Sequence, residues 1–224
     1  MSKVNIHIQK NTPQFIKYYE DPKSKLIELI REYKFKSAIE IGCGGGSNLS
    51  ELKKINPNCF TVGIELRPDL QEKLKRNDSV NEFYIGDVFE LLPILDRSFD
   101  VIILSHVLEH FSDPENLLNA CKKLATKNTI FLIALPNIRH ISVLAPLIFS
   151  DQFEYKSAGI LDITHLRFFT RKTAEILIES CGLHIMNCNP EISNRKSGFV
   201  NRMTLGLMSG FCAHAYNFIC KMKV

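Results

Sequence analysis

A chain of 224 residues that is 45% hydrophobic and 23% charged carries enough apolar material for one globular domain with a sizeable core. Its formal charge of +4 is small and its basic residues are scattered, which argues against a nucleic-acid partner and leaves a small-molecule or glycan-precursor substrate open. Seven cysteines without a CxxC pair argue against a disulfide framework or a zinc cage; they read as reduced thiols of a cytoplasmic protein, and no metal is expected.

The first residues, Met1 to His7, lack the apolar core of a signal peptide. Tyr18-Tyr19-Glu20 leads into an amphipathic helix over Pro22 to Tyr33, with Leu26, Leu29, Ile30 and Tyr33 at helical spacing. Strands are then predicted at Ser37–Ile41, Phe60–Glu65, Glu82–Ile85, Asp100–Leu104, Thr129–Leu135 and His184–Cys188. Runs such as Val101-Ile102-Ile103-Leu104 suit strands buried on both faces. Helices fit between them at Ser47–Ile55, Pro68–Lys75, Pro114–Ala125 and Arg171–Ser180, with Pro68 and Pro114 in first turns and Gly182 as a C-terminal stop. Between strands five and six, Asn137 to His165 is long for a connection and carries an apolar patch, Ile141 to Phe149, so it reads as a lid.

The tail from Met203 to Cys220 lacks charged residues but is broken by Gly206, Gly210, His214 and Asn217. It reads as a helix near Met203–Phe211 and a strand near Ala215–Met222, not as a stable membrane span. The alternation makes the fold class α/β, a Rossmann-like doubly wound sheet of about seven strands. A single domain 1–224 divides into an N-terminal arm and helix (1–35), a cofactor-binding half (36–136), a lid insertion (137–170) and a helix–strand completion (171–224).

Glu40-Ile41-Gly42-Cys43-Gly44-Gly45-Gly46-Ser47 is a strand end, a glycine turn and a helix start. Glycines let the backbone approach a ligand, and the helix N-terminus offers free N–H groups. Glu65, at the end of the second strand, suits a ribose diol, a geometry that dinucleotides also use. The dinucleotide fingerprint needs Gly or Ala at its third small position, where this chain has Ser47, and the Gly-Lys-Ser/Thr of a P-loop is absent. Gly86-Asp87-Val88 and Ser105-His106 follow the third and fourth strands, so Glu40, Glu65, Asp87 and Ser105 converge on one cleft. A structural reading makes Glu65 and Asp87 helix caps.

On Glu40-Ile-Gly-Cys-Gly-Gly-Gly, Gly-Ile-Glu65-Leu, Gly-Asp87-Val and Phe-Asp-Val-Ile-Ile-Leu-Ser-His-Val-Leu-Glu-His110, residues 14 to 190 resemble class I S-adenosylmethionine-dependent methyltransferases of the ubiquinone-biosynthesis-like and glycan-cluster type. The resemblance implies a mostly parallel sheet with a last antiparallel strand and S-adenosylmethionine as cofactor. It implies a cofactor site at Glu40, Gly42, Cys43, Gly44, Glu65, Leu66, Asp87, Val88, Ser105 and His106, with Tyr18 covering it.

A sulfonium methyl is already activated, so the protein must align an acceptor and, for a hydroxyl, remove its proton. Base candidates are His106, His110, His140 and His165. His106, Glu109 and His110 would share one face of a helix, a spacing that also suits a divalent metal; related quinone O-methyltransferases resemble it with glutamate where this chain has His106. Asp162-Ile-Thr-His165-Leu-Arg167-Phe-Phe and Pro136-Asn137-x-x-His140 resemble methyltransferases of surface-polysaccharide synthesis. That likeness makes Asn137, His140, Asp162, His165 and Arg167 substrate residues, with Arg167 on a phosphate or carboxylate and His165 as base. A buried polar knot with Thr170 as helix cap is the structural alternative. The expected activity is O-methylation of a sugar or sugar nucleotide, with a small aromatic or quinone precursor as alternative. A non-catalytic cofactor-fold subunit is the reading of another class. A homodimer is compatible with either.

Overall fold

Strands that are apolar on both faces need cover on both sides, and the computed structural model, which describes residues 21–192 and 195–223, provides it. Seven strands form one sheet in the order β3-β2-β1-β4-β5-β7-β6. They are β1 (Ser37–Ile41), β2 (Phe60–Glu65), β3 (Glu82–Ile85), β4 (Phe99–Ser105), β5 (Ala125–Pro136), β6 (Leu183–Glu191) and β7 (Ala215–Met222). All pairings are parallel except those of β7, which runs antiparallel to both β5 and β6. This is the expected doubly wound α/β fold with its antiparallel last strand.

Period-two alternation along the strands divides the core. Val101 and Ile103 of β4 face Leu26, Ile27 and Ile30 of the N-terminal region and Leu49 and Leu52 of α2 (Ser47–Ile55). Ile102 and Leu104 face the other layer, with Leu117 and Leu118 of α5 (Pro114–Lys122) and Leu177 and Ile178 of α7 (Arg171–Ser180). The chain winds from β1 to β2 on one side and returns to β4 on the other, so Glu40 lies in register between Gly63 and Ile103. A ligand cleft opens at such a switch point, beyond the carboxyl ends of the strands.

Local boundaries differ from the sequence reading for identifiable reasons. The first helix is a short α1 (Ser24–Glu28) followed by turns, although Leu26 and Ile30 are buried as its periodicity requires. Pro68 opens a 3-10 turn, Pro68–Leu70, before α3 (Gln71–Lys75). A further turn of helix, α4 (Val88–Leu91), is capped by Asp87, whose Oδ1 accepts the Phe89 N–H at 2.7 Å. Helix α5 stops at Lys122 because the chain must re-enter the sheet at Ala125, earlier than its apolar run suggests. Strand β6 extends to Glu191 because β7 pairs with it along its length. The 137–170 segment contains α6 (Ile141–Ser150), and the tail holds α8 (Arg195–Met203) and α9 (Ser209–Cys212) in place of one helix over Met203–Phe211. Among the described residues no helix is long and apolar enough to cross a membrane.

Candidate active site

A cavity of about 470 Å³ lies where the switch point predicts, lined by the ends of β1, β2 and β4, the loop after β3, and residues 157–165. Its floor is the glycine turn after β1. Gly42, Gly44 and Gly46 have φ of +70°, +56° and +79°, which L side chains rarely adopt. A Cβ on Gly42 would also lie 3.1 Å from Val107 Cγ2. Cys43 lines the cleft, but its thiol packs over Gly63, where an added Cβ would meet Sγ at 2.5 Å. Burial pushes that thiol well up, so it is an inert packing group.

Glu65 closes the turn. Its Oε2 accepts the Gly44 N–H at 2.8 Å and its Oε1 the Arg67 N–H at 2.9 Å. The carboxylate thus shapes the loop and still lines the cleft, and each oxygen retains a lone pair for a ligand hydroxyl. Glu40 is buried; Asn48 Nδ2 donates to its Oε1 at 2.6 Å, while Oε2 has no hydrogen-bond partner. Burial pushes its carboxyl up to about 8. A buried acid with one orphan oxygen at the end of β1 is a place for a cationic ligand group. Ser105 Oγ, at the end of β4, is a second buried orphan on the cleft. Leu66, Asp87 and Val88 line the same cleft, whereas Tyr18 lies outside the described residues. The orphan oxygens, the glycine floor and the paired carboxylates fit S-adenosylmethionine, whose ammonium, ribose diol and sulfonium need such partners.

The opposite wall is built by two distant segments. His106 does not share a helical face with Glu109 and His110: it has φ +54° and precedes a single 3-10 turn, Leu108–His110. That geometry turns Glu109 inward, completely buried, with neither carboxylate oxygen accepting a hydrogen bond. His106 Nδ1 is 3.3 Å and His165 Nε2 3.9 Å from Glu109 Oε1. The backbone N–H groups of Leu166 and Arg167 both donate to the Glu109 carbonyl, which fastens the 157–167 loop to the end of β4. Within that loop Asp162 Oδ1 accepts from both the N–H and the hydroxyl of Thr164, at 2.8 and 2.6 Å.

His165 Nδ1 donates to the Ile160 carbonyl at 3.0 Å, so in the neutral ring the lone pair is on Nε2. Burial lowers the pKa of His165, opposed by the charge of Glu109. The His110 ring packs edge-on to His165 with centroids 4.8 Å apart, and its Nδ1 faces the Thr164 hydroxyl at 3.0 Å. Donor atoms of Glu109, His110 and His165 lie within 4.8 Å of one another. Ligands around a tetrahedral cation sit about 3.3 Å apart, so holding one would require the group to contract.

Other expected substrate residues are elsewhere. Arg167 is exposed, is not among the cleft-lining residues, and donates through Nε and Nη2 to the Ser112 carbonyl at 2.9 and 2.6 Å. Asn137 is buried and donates to the Gly210 and Ala213 carbonyls, tying β5 to the segment before β7. His140 caps α6 by accepting the Ser142 N–H. Arg167 and Asn137 satisfy backbone at chain crossings, a need that the sequence alone does not display, whereas the His140 cap is local to its own helix. Asn48 and Phe111 line the cleft without a place in the sequence reading, and Glu109 enters that reading only as part of a metal spacing. Asn48 has a signal, as an amide one residue into the helix that follows the glycine turn; Glu109 has only its place between two histidines.

The model of the methyltransferase domain family matches residues 13–186. The demethylmenaquinone methyltransferase of Thermotoga maritima is 27% identical over 123 residues, 54% of this chain and 53% of that protein. The human mitochondrial ubiquinone biosynthesis O-methyltransferase is 24% identical over 173 residues, 72% of this chain and 45% of that one. The chain thus spans about half the length of these curated relatives. A solved S-adenosylmethionine-dependent methyltransferase from Archaeoglobus fulgidus superposes with a TM-score of 0.66 at 20% identity, covering 93% of this chain and 98% of that one. The plantazolicin methyltransferase, solved with S-adenosylhomocysteine, gives 0.62 at 16% identity, covering 95% and 87%. This chain belongs to the methyltransferase domain family and has the fold of its S-adenosylmethionine-dependent members.

Proposed function

We propose that the chain transfers a methyl group from S-adenosylmethionine to a hydroxyl oxygen of a small aromatic acceptor of the quinone-precursor type. The observation that carries this reading is His165, a buried histidine on the cleft with its free Nε2 beside the buried Glu109. S-adenosylmethionine supplies an electrophilic methyl group on sulfur. Glu40 Oε2 takes the ammonium, Glu65 the ribose hydroxyls, and Asp87 and Val88 flank the base. His165 Nε2 accepts the acceptor's hydroxyl proton, and the carboxylate of Glu109 stabilises the imidazolium that results. His106 and His110 border the same space. Phe111 on the cleft favours a flat apolar acceptor; the Phe153, Tyr155 and Phe168 rings group together, Phe168 against His165, without lining the cleft. The likeness to the ubiquinone biosynthesis O-methyltransferase points the same way.

Asp162 and Thr164 on the cleft support a second reading, a sugar or sugar-nucleotide hydroxyl. It is weakened because Arg167, the natural phosphate anchor, is committed to Ser112. Purified protein incubated with S-adenosylmethionine and parallel panels of catechol-type and sugar-nucleotide acceptors, with products read by mass, separates the two. Methyl transfer to sugar nucleotides alone overturns the aromatic reading. No S-adenosylmethionine binding by calorimetry overturns both and leaves a non-catalytic subunit.

A further inference from the structure

Helix α2 follows the glycine turn, and Asn48 is its second residue. An asparagine at a helix start ordinarily bonds free N–H groups of its own helix. Both ends of the Asn48 amide are instead engaged with partners 25 and 8 residues away. The backbone N–H of Lys23 donates to Oδ1 at 2.7 Å, and Nδ2 donates to Glu40 Oε1 at 2.6 Å. A backbone N–H can only donate, so the Lys23 contact fixes which end of the amide is oxygen. That leaves the NH2 for Glu40, whose other oxygen, Oε2, is the buried orphan.

The segment that ends at Lys23 is itself part of the cleft. Asp21 and Lys23 line it together with Glu40 and Asn48. Lys23 also begins α1, since its carbonyl accepts the N–H groups of Leu26 and Ile27. Leu26, Ile27 and Ile30 are buried in the core on that face of the sheet, which anchors the chain just beyond Lys23. One planar amide thus joins the acid at the end of β1 to the chain segment that borders the same cavity.

We propose that Asn48 is a positioning residue that couples the Asp21–Lys23 segment to Glu40, so that cofactor binding and docking of this segment strengthen each other. The proposal rests on the reading of Glu40 as the partner of the S-adenosylmethionine ammonium. With an ammonium on Oε2 the Glu40 carboxylate is held in place, the carboxylate holds the Asn48 amide, and the amide holds Lys23. The effect is reciprocal: whatever factor the docked segment adds to cofactor affinity, the cofactor adds to docking.

Amide hydrogen exchange of the full chain, read at Lys23 with and without S-adenosylmethionine, tests this alongside calorimetry. In the unsubstituted chain the cofactor should slow Lys23 exchange roughly tenfold. Asn48→Ala should weaken S-adenosylmethionine binding roughly tenfold, speed Lys23 exchange, and abolish the slowing at saturating cofactor. Alanine is favourable within a helix, so α2 survives the change. Asn56→Ala is the control: it removes another long-range bond, from Nδ2 to the Phe35 carbonyl at 2.6 Å, at the far end of α2. It should alter neither cofactor affinity nor the slowing of Lys23, which separates coupling from general stability. Slowing that survives Asn48→Ala, an affinity that Asn48→Ala leaves unchanged, or equal losses in Asn56→Ala overturns the proposal. If the unsubstituted chain binds no S-adenosylmethionine, the cofactor reading fails. Glu40→Ala, measured without ligand, then decides the coupling: it should speed Lys23 exchange, and an unchanged rate overturns it.

Discussion

The two walls of the cleft are built differently. The Glu40–Glu65 wall is a contiguous strand, turn and helix with one partner strand, and its carboxylates are held at short range by Asn48, Gly44 and Arg67. The Glu109–His165 wall joins segments more than fifty residues apart through backbone bonds and ring packing. The first is a rigid cradle set by local geometry. The second is a polar cluster whose members have unsatisfied atoms and whose chemistry depends on a loop staying docked.

If the walls divide labour as binding and chemistry, the largest effect falls on the second. His165→Ala should lower kcat roughly 100- to 10,000-fold while calorimetric S-adenosylmethionine affinity stays within about threefold; an unchanged kcat removes His165 as the base. Because burial lowers its pKa, the acid limb of kcat/KM should fall below the ordinary histidine range and vanish in the variant.

On the first wall, Glu65→Ala should weaken S-adenosylmethionine binding roughly 10- to 100-fold, the magnitude of a charge-assisted hydrogen bond, with some loss of stability from the freed Gly44 N–H. Affinity should also rise with pH toward about 8, by at most about tenfold per unit, since Glu40 is neutral when protonated and pairs with an ammonium only once ionised. Glu40→Gln should flatten that profile, and a profile unchanged by the substitution would assign the titration to another group.

Chelation separates base from metal chemistry at the second wall. EDTA is expected to change kcat less than about twofold, given the spread of the Glu109, His110 and His165 donors. Loss of activity restored by Mg²⁺ would make that cluster a cation site. The smallest effect belongs to Arg167→Ala. It should cost about 1 kcal/mol of stability or less, read by urea denaturation, because its bonds to Ser112 are solvent-exposed. A large rise in acceptor KM would instead return Arg167 to the substrate.

The same contrast explains what was legible in the sequence. Strand β1, the glycine turn and Glu65 announce themselves because strand period, positive-φ glycines and the spacing of a βα unit are local constraints. Apolar runs fixed most strands for the same reason, and Ala215–Met222 was delimited correctly although its neighbours come from distant parts of the chain. Glycan-type residues in 137–170 were visible as a pattern, but not their direction. Arg167 and Asn137 satisfy carbonyls that exist only where chains cross, while His140 caps the helix that it begins. His106, read as part of a helix face, instead takes φ +54°, which directs Glu109 inward.

By itself, then, the sequence determined the sheet, the turn and the carboxylates of the cofactor side, because each is specified by neighbours within one supersecondary unit. Only the tertiary structure decided that Glu109 and His165 share a wall and that Arg167 leaves it. Those outcomes depend on which unsatisfied backbone groups meet when the loop closes over the end of β4, and that is settled by packing, not by spacing along the chain.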